Sequence, residues 1–186
     1  HSLKQSYESG TIRLVFTGNF GVRKGAHLIV AAIEQLVKKD FPFTLDVIGN
    51  VSNELAIPDW FRNHPGITLH GSMPQDQLKT FLAKSDLYIF PTYVEGAAQS
   101  VKEAMAAGLP VITTVNSGAP IMHMENGFLI PDDNADALAA AIEQLSTAPA
   151  LRKEMGLKAA ETIRTGHTWE RYAQEVTELY KSMINA

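Results

Sequence analysis

Short apolar segments alternate along this chain with longer segments in which apolar residues recur at helical spacing. The short segments are rich in β-branched residues, and several end at glycine or proline, which is typical of buried strands. They predict strands at residues 12–17, 44–48, 67–69, 87–90, 111–113 and 128–130. The longer segments predict helices at residues 26–39, 59–63, 75–83, 99–107, 135–145, 151–163 and 169–183.

The predicted strands are almost continuously apolar, as in IRLVFT at residues 12–17 and LYIF at residues 87–90. Strands of this kind that alternate with helices indicate a parallel sheet with helices on both faces. We therefore expect an α/β fold with a Rossmann-like, doubly wound parallel sheet, followed by C-terminal helices that leave the sheet. In such a sheet, ligands bind beyond the carboxyl ends of the strands.

Composition excludes several classes of function. The chain has 16 Lys and Arg against 20 Asp and Glu, so it lacks the basic excess of a nucleic-acid-binding surface, and we expect no nucleic-acid partner. It has no cysteine, which excludes disulfides, thiolate catalysis and cysteine-based zinc sites. No apolar run approaches the roughly 20 residues that span a bilayer. We expect residues 1–10 to be a cloning remnant or linker and residues 11–186 to form one domain.

The loop after the first predicted strand, GNFGVRKG at residues 18–25, combines glycines with Arg23 and Lys24 at the start of the next helix. Glycine allows close approach to the backbone, and free amides at a helix N-terminus favour an anion. The loop matches neither the GxGxxG pattern nor the P-loop pattern. On these grounds alone it is either a solvated turn or a phosphate site.

A second unusual loop contains Glu95, and Glu103 follows about one turn inside the next helix. The small residues at positions 96–98 leave the backbone amides between them accessible. Amides at a helix N-terminus suit phosphate, whereas an ionised carboxylate accepts hydrogen bonds from hydroxyl groups. A ligand with phosphates and many hydroxyls would satisfy both. The alternative is that Glu95 complements the helix dipole and Glu103 is an ordinary surface residue.

The whole string EGAAQSVKEAMAAGLPVI at residues 95–112 resembles the carboxy-terminal domain of the large retaining glycosyltransferase family with the GT-B fold, known as family 4 or group 1. Glu95 and Glu103 match the E-x7-E pattern of that family. The resemblance extends from the glycine-lysine loop to NGFLIP at residues 126–131 and to the closing helix. It implies that the chain is one half of a GT-B fold, whose acceptor-binding N-terminal domain is missing here.

The resemblance implies a role for each matching residue. The first glutamate of the family contacts hydroxyls of the transferred sugar, which falls on Glu95, and the second binds the ribose hydroxyls, which falls on Glu103. The lysine before glycine binds the diphosphate, so that Glu95 and Lys24 are the candidate catalytic residues. The amides of residues 97–100 face the sugar or the phosphates, and the nucleobase packs near residues 70–73. The other candidate nucleotide-sugar-binding residues are Gly18, Asn19, Arg23, Gly49, His70, Gly71, Met73, Gly96, Ala97, Ala98, Gln99 and Ser100.

Two positions depart from the family pattern. Most members have an arginine where this chain has Asn19, and Arg23 is the candidate replacement for that second cation. The usual Gly-Phe-Gly after the first glutamate is replaced by Gly96-Ala97-Ala98. The second departure leaves the preferred sugar open.

The implied function is transfer of a sugar from a nucleotide sugar to a glycan or lipid-linked acceptor, in the synthesis of cell-surface polysaccharide or lipopolysaccharide. Lys24 and a helix N-terminus would stabilise the leaving diphosphate, so we expect no metal and no cofactor. The acidic cluster PDDN at residues 131–134 precedes a predicted helix and is interpreted as an N-cap with first-turn acids rather than a metal site. We expect the isolated chain to be inactive, and the intact protein to be cytoplasmic with peripheral association at the inner face of the membrane.

Two alternatives stay open at this level. A nucleotide-sugar epimerase has the same two-domain architecture, and its product would be isomerised donor with no acceptor consumed. A non-catalytic nucleotide-sugar-binding domain is the second alternative, and Asn19 is the feature that supports it.

Overall fold

The computed structural model describes residues 10–184, so that residues 1–9 of the predicted linker lie outside the described residues. The described part contains one sheet of six strands, all paired in parallel, in the order β3-β2-β1-β4-β5-β6. This order confirms the predicted Rossmann-like, doubly wound fold. The strands are β1 (Ile12–Thr17), β2 (Phe43–Ile48), β3 (Ile67–Gly71), β4 (Leu87–Phe90), β5 (Val111–Thr113) and β6 (Gly127–Leu129).

Every predicted helix is present, with ends that differ from the prediction by up to three residues. The largest differences are in α6, which begins at Pro149, where proline is favoured because the first helical residue needs no amide hydrogen. Short 3-10 turns at Val22–Lys24 and Val115–Ser117 were not predicted. The helices are α1 (Ala26–Lys38), α2 (Asp59–Asn63), α3 (Gln75–Lys84), α4 (Gln99–Ala106), α5 (Ala135–Ser146), α6 (Pro149–Gly166) and α7 (Trp169–Ile184).

The hydrophobic core is centred on β1 and β4, which are adjacent in the sheet and almost entirely buried. The rings of Phe16 and Phe90 stack with centroids 5.7 Å apart, and Phe20 meets Phe16 edge-on at 5.1 Å. Around the sheet, α1 packs against α5 and α4 packs against α6. The aromatic cluster therefore packs directly beneath the loops at the carboxyl ends of β1 and β4.

The last helix, α7, is different because its apolar side chains are largely exposed, among them Leu179, Tyr180 and Met183. Its backbone continues from α6 after a break at His167 and Thr168. Among residues 10–184, no helix has the length and apolar character needed to cross a membrane.

Candidate functional site

The strand order creates a crevice at the carboxyl end of the sheet. The chain first adds β2 and β3 on one side of β1, and then crosses over to place β4 on its other side. Loops that leave β1 and β4 therefore diverge and open a cleft, which is where doubly wound folds bind ligands. Both glycine-rich segments found in the sequence, residues 18–25 and 95–98, lie in these two loops.

Three glycines allow the strand ends to approach one another closely. The amide of Gly18 donates to Ile48 (2.8 Å), and the amide of Gly49 donates to Gly71 (2.8 Å). Gly49 has a φ of 135°, and a Cβ added to it would lie 2.0 Å from the carbonyl oxygen of Gly18. Gly49 is thus required by backbone packing, whereas the space beside Gly71 is open, since a Cβ added there meets nothing within 4 Å.

Lys24 lies across the first of these glycines. A Cβ on Gly18 would be 3.3 Å from the Lys24 Nζ, which also lies 4.8 Å from the centroid of the Phe90 ring. Behind Lys24, Gly25 takes the left-handed conformation and packs so tightly on Pro91 that a Cβ would be 1.9 Å from the carbonyl oxygen of Pro91. The direction of the Lys24 side chain is therefore set by backbone contact between the two loops.

Glu95 meets both cations of the first loop. Its Oε1 lies 3.2 Å from the Lys24 Nζ and 3.5 Å from the Arg23 Nη1. The Lys24 and Glu95 side chains are each 16% exposed, while Arg23 is 62% exposed. The Oε1 atom is buried and makes no hydrogen bond of good geometry within the described residues, so that the contact with Lys24 is an ion pair rather than a directed hydrogen bond. The fold thus brings together the two residues predicted to be catalytic.

The N-terminus of α4 opens next to this ion pair. Ala98 is the N-cap residue and offers no side-chain cap. Within residues 10–184, the amides of Gln99 and Ser100 have no hydrogen-bond acceptor, and the same holds for Ala97. One predicted donor is wrong, because the amide of Ala98 donates to Ser117 (2.8 Å), and Ala98 itself is buried. Three of the four predicted amides are therefore available to a ligand.

The partly buried Ser100 side chain lies beside the hydroxyl of Tyr88. The Tyr88 hydroxyl also shares a 2.8 Å hydrogen bond with the Thr17 hydroxyl at the end of β1. Burial raises the pKa of Tyr88 to about 12, so this phenol stays protonated at neutral pH. It links the start of the first loop to the first turn of α4.

Glu103 faces the loop after β3. Its Oε1 accepts a 3.2 Å hydrogen bond from the Gln75 side chain, at the first residue of α3. In the same region, His70 is held by a 2.6 Å contact between its Nε2 and Asp46 Oδ1 and by the edge of the Phe81 ring, 4.6 Å away between centroids. The sequence did not reveal this anchoring, since Asp46 belongs to another strand.

Two other residues of this region fall into different environments. Met73 packs, partly buried, against the core. The Ser72 hydroxyl donates a 3.2 Å hydrogen bond to the Asn50 side chain. Gly71, which has open space beside it, is thus followed in the chain by the polar Ser72 and the apolar Met73. Such a surface suits a planar ring, which has an apolar face and a polar edge.

A cavity of about 600 Å³ lies on the other side of α4, against the junction of α6 and α7. Lys24 and the Glu95 carboxylate do not line it, so the charged cluster, rather than this cavity, marks the chemistry of the site. The two share a wall at the start of α4. This wall consists of Ala97, before the helix, and the α4 residues Gln99, Lys102, Glu103 and Ala106.

A network that the sequence did not predict surrounds the charged cluster. The Asp133 carboxylate accepts a 2.6 Å hydrogen bond from the Tyr93 hydroxyl, and Asp132 accepts one of 2.8 Å from the Asn116 side chain. The predicted N-cap of α5 is confirmed at Asn134, whose side chain accepts from the amide of Ala137 (2.8 Å). The two acids before it do not take part in the cap, and Asp133 has a left-handed backbone conformation with a φ of 53°.

No group of three or more His, Asp or Glu residues that could hold a metal ion occurs among residues 10–184. The absence of a metal requirement stays a prediction that only a binding experiment tests.

Comparison with known proteins identifies relatives of this chain. The family model described as glycosyl transferases group 1 matches residues 11–148. The amylovoran biosynthesis glycosyltransferase AmsK of Erwinia amylovora is 31% identical over 147 residues, which are 73% of this chain and 36% of the relative. The capsular polysaccharide biosynthesis glycosyltransferase CapM of Staphylococcus aureus is 26% identical over 177 residues, which are 91% of this chain and 46% of the relative. The chain thus spans less than half the length of these relatives.

Solved structures show the same fold at low sequence identity. A structure of S. aureus TarM in complex with fondaparinux, α-GlcNAc-glycerol and UDP superposes with a TM-score of 0.84 at 23% identity, over 97% of this chain and 37% of that one. The C-terminal domain of a glycosyl transferase group 1 family protein from Francisella tularensis superposes with a TM-score of 0.75 at 20% identity. That match covers 87% of this chain and 88% of the Francisella domain.

Proposed function

This chain belongs to the glycosyl transferases of group 1, and from that membership we propose that it is the part of the enzyme that binds the nucleotide-sugar donor. One observation carries the proposal. Two cations, a carboxylate and the uncapped N-terminus of α4 converge at the topological switch point of the sheet. A diphosphate suits the cations and the amides, while a carboxylate beside them suits sugar hydroxyls.

The charged cluster would act on the bond between the sugar and the diphosphate. When this bond breaks, negative charge grows on the leaving phosphate, and donors that are already in position stabilise it without reorganising. Lys24 is such a donor because the fold holds its stem against Gly18 and Phe90. The amides of Gln99 and Ser100 are fixed by α4. Glu95 would then bind hydroxyls of the transferred sugar, and no metal is needed in this scheme.

The nucleoside would extend from the diphosphate toward β3. Glu103 is placed to accept hydrogen bonds from ribose hydroxyls, and its current partner, Gln75, is a neutral side chain that a ligand can replace. The base would lie over Gly71, between Met73 and Ser72. His70 would support this surface from below through Asp46 rather than contact the base.

The reaction of the intact protein is part of the same proposal. Relatives named for capsular polysaccharide and amylovoran biosynthesis favour sugar transfer over epimerisation. We propose that the acceptor is a glycan or a lipid-linked saccharide and that the transfer proceeds with retention, as the family resemblance implies. An additional N-terminal domain would hold that acceptor. We place the intact enzyme in the cytoplasm, in peripheral contact with the inner face of the membrane where lipid-linked acceptors are found.

Calorimetry with the present chain tests the donor site. UDP, GDP, ADP and dTDP are titrated in EDTA, and at least one should bind, whereas Lys24→Ala should abolish or strongly weaken that binding. Lys158→Ala is the matched control, because Lys158 lies on α6 and pairs only with Glu154 among the described residues. Undetectable binding of all four diphosphates at millimolar concentration would reject the proposal.

A second experiment tests the placement of the acceptor. Holding an acceptor against the anomeric carbon lowers a barrier by roughly 7–11 kcal/mol, and the present chain contains only the proposed donor half. The chain alone should therefore transfer no sugar, while the intact protein should be active and its Glu95→Ala variant should not. Robust transfer by residues 1–186 alone would show that the acceptor site is wrongly assigned.

A further inference from the structure

The segment that carries Glu95 is only partly packed. Val94 is 57% exposed, Gly96 and Ala97 are also exposed, and Tyr93 and Glu95 are partly buried. Hydrogen bonds therefore contribute, together with this partial burial, to the path of the segment. These hydrogen bonds come from three other loops, and none of the residues involved belongs to the donor contacts proposed above except through the backbone.

Tyr93 is the centre of one set of contacts. Its hydroxyl donates to Asp133 Oδ1 (2.6 Å) and lies 2.9 Å from the His27 Nε2. Burial, together with the Asp133 carboxylate, raises the pKa of Tyr93 to about 12, so the phenol is protonated and can donate. His27 Nε2 is then the donor to the phenol oxygen, and the two rings stack with centroids 5.5 Å apart. The tyrosine thus joins the start of α1 to the loop before α5.

The backbone around Tyr93 is hydrogen-bonded to the backbone of the loop that carries Arg23 and Lys24. Its amide donates to the carbonyl oxygen of Arg23 (3.0 Å), and the Thr92 hydroxyl donates to the same oxygen (3.1 Å). Two residues later, the amide of Glu95 donates to the carbonyl oxygen of Asn116 (2.9 Å), whose side chain donates to Asp132. Tyr93 is therefore linked to Asp133 directly through its phenol, and the amide of Glu95 is linked to Asp132 through Asn116.

We propose that Tyr93, held by Asp133, is a positioning residue that sets the Glu95 carboxylate for the sugar and so determines how much better a nucleotide sugar binds than its diphosphate alone. The inference rests on the proposed function, since it assumes that Glu95 contacts the sugar. Lys24 and the α4 amides do not depend on the Tyr93 hydroxyl. Loss of this hydroxyl should consequently affect sugar recognition and leave diphosphate recognition largely unchanged.

Two substitutions each remove one partner of the hydrogen bond between the Tyr93 hydroxyl and the Asp133 carboxylate, and both are compatible with the backbone conformation of the parent. Tyr93→Phe keeps the ring that stacks on His27 and removes only the hydroxyl. Asp133→Gly removes the carboxylate and keeps the positive φ, which glycine adopts freely. Asp133→Asn is the conservative partner, because asparagine tolerates this φ and still offers an oxygen acceptor. Tyr180→Phe, on the exposed face of α7, is the neutral control.

The experiment compares two dissociation constants by calorimetry, one for a diphosphate and one for its sugar form, with UDP and UDP-glucose or GDP and GDP-mannose as probes. In Tyr93→Phe and Asp133→Gly, the Kd of the nucleotide sugar should rise about 5- to 30-fold relative to that of the diphosphate, as expected for one lost hydrogen-bonded link. Asp133→Asn should recover most of the difference, and Tyr180→Phe should behave as the parent.

The outcomes separate the two proposals. If the parent binds none of the four diphosphates UDP, GDP, ADP and dTDP, the proposed function fails and this inference fails with it. If the parent binds but the ratio of the two constants is unchanged in Tyr93→Phe and Asp133→Gly, only the inference is overturned. An equal loss for both ligands, accompanied by a lower melting temperature, overturns it as well, because that result describes a structural residue.

Discussion

Replacing Glu95 by glutamine separates two effects that the ion pair combines. In this structure, the Glu95 carboxylate is the anion paired with Lys24 and Arg23. A bound diphosphate must compete with it for the same two cations. Glu95→Gln keeps the size and the acceptor oxygen of the side chain and removes only the charge. We therefore expect this variant to bind a nucleoside diphosphate more tightly than the parent.

The magnitude follows from the geometry. At the 3.2 Å separation of Oε1 and Nζ, the Coulomb attraction is about 1 kcal/mol in bulk water and about 5 kcal/mol at an effective dielectric constant of about 20. Glu95 and Lys24 are mostly buried, whereas Arg23 is largely solvated, so the site lies between these limits. Since the carboxylate regains hydration when it is displaced, we expect a net gain of about 1–2 kcal/mol, or about 5- to 30-fold in Kd.

Calorimetry at low and at physiological salt measures the effect, and raised salt should reduce it. A second background isolates its origin. In Lys24→Met, glutamine at position 95 should bring little gain, because the main cation for which Glu95 competes is absent. The nucleotide sugar provides a further contrast, since the same substitution removes a carboxylate acceptor for its hydroxyls. Its binding should improve less than that of the diphosphate, or should weaken.

The opposite result would refute this reasoning. If Glu95→Gln, with an unchanged melting temperature, binds the diphosphate more weakly than the parent, then Glu95 does not compete with the ligand. The Glu95 carboxylate would instead orient Lys24 for the phosphate and would keep its contact with Lys24 when the diphosphate binds.

Other predictions concern the second cation, the glycine contact and the buried phenol. Asn19→Arg should tighten diphosphate binding by up to about tenfold through a charge-assisted hydrogen bond, a gain that raised salt reduces; unchanged affinity in the folded variant would contradict the implied course of the loop. Gly49→Ala should lower the free energy of unfolding in urea by roughly 3 kcal/mol or more, because its Cβ would lie 2.0 Å from the Gly18 oxygen, whereas Gly71→Ala, with open space, should cost only about 1 kcal/mol. Burial raises the pKa of Tyr88 to about 12 from its ordinary value of 10.0. The stability that the protonated phenol contributes is therefore fully present below pH 10, and about 2–3 kcal/mol of it is lost as the pH rises to 12. Urea unfolding across this pH range should show a shallower decline in Tyr88→Phe, and an identical decline would contradict the assignment.

The elements of this fold could be predicted from the sequence because their causes are local. A largely apolar run such as residues 12–17 buries both faces of a strand, and the apolar stripe of α1 has helical spacing. The spacing of Glu95 and Glu103 similarly places one carboxylate in a loop and one on a helix. Helix ends were predicted less well, as at α6, because capping energies are small and several residues can end a helix at similar cost.

The contacts within the site depend on the tertiary structure and could not be predicted from the sequence. Lys24 and Glu95 meet only because β1 pairs with β4, and nothing in either loop states that the chain crosses over to make these strands neighbours. The amide of Ala98 was predicted to be free from its place before a helix, yet a carbonyl group from the loop after β5 occupies it.

Asp132 and Asp133 show the same limit most clearly. The cluster at residues 131–134 correctly predicted an N-cap, which Asn134 provides, but the sequence by itself could not identify what the two acids contact. Their actual partners, Asn116 and Tyr93, come from loops after two other strands. A side chain chooses among such partners according to which loops the sheet order brings within hydrogen-bond distance. The residue types of the site could therefore be predicted from the sequence. Its hydrogen bonds could not, because they depend on strand pairing between segments that are far apart in the chain.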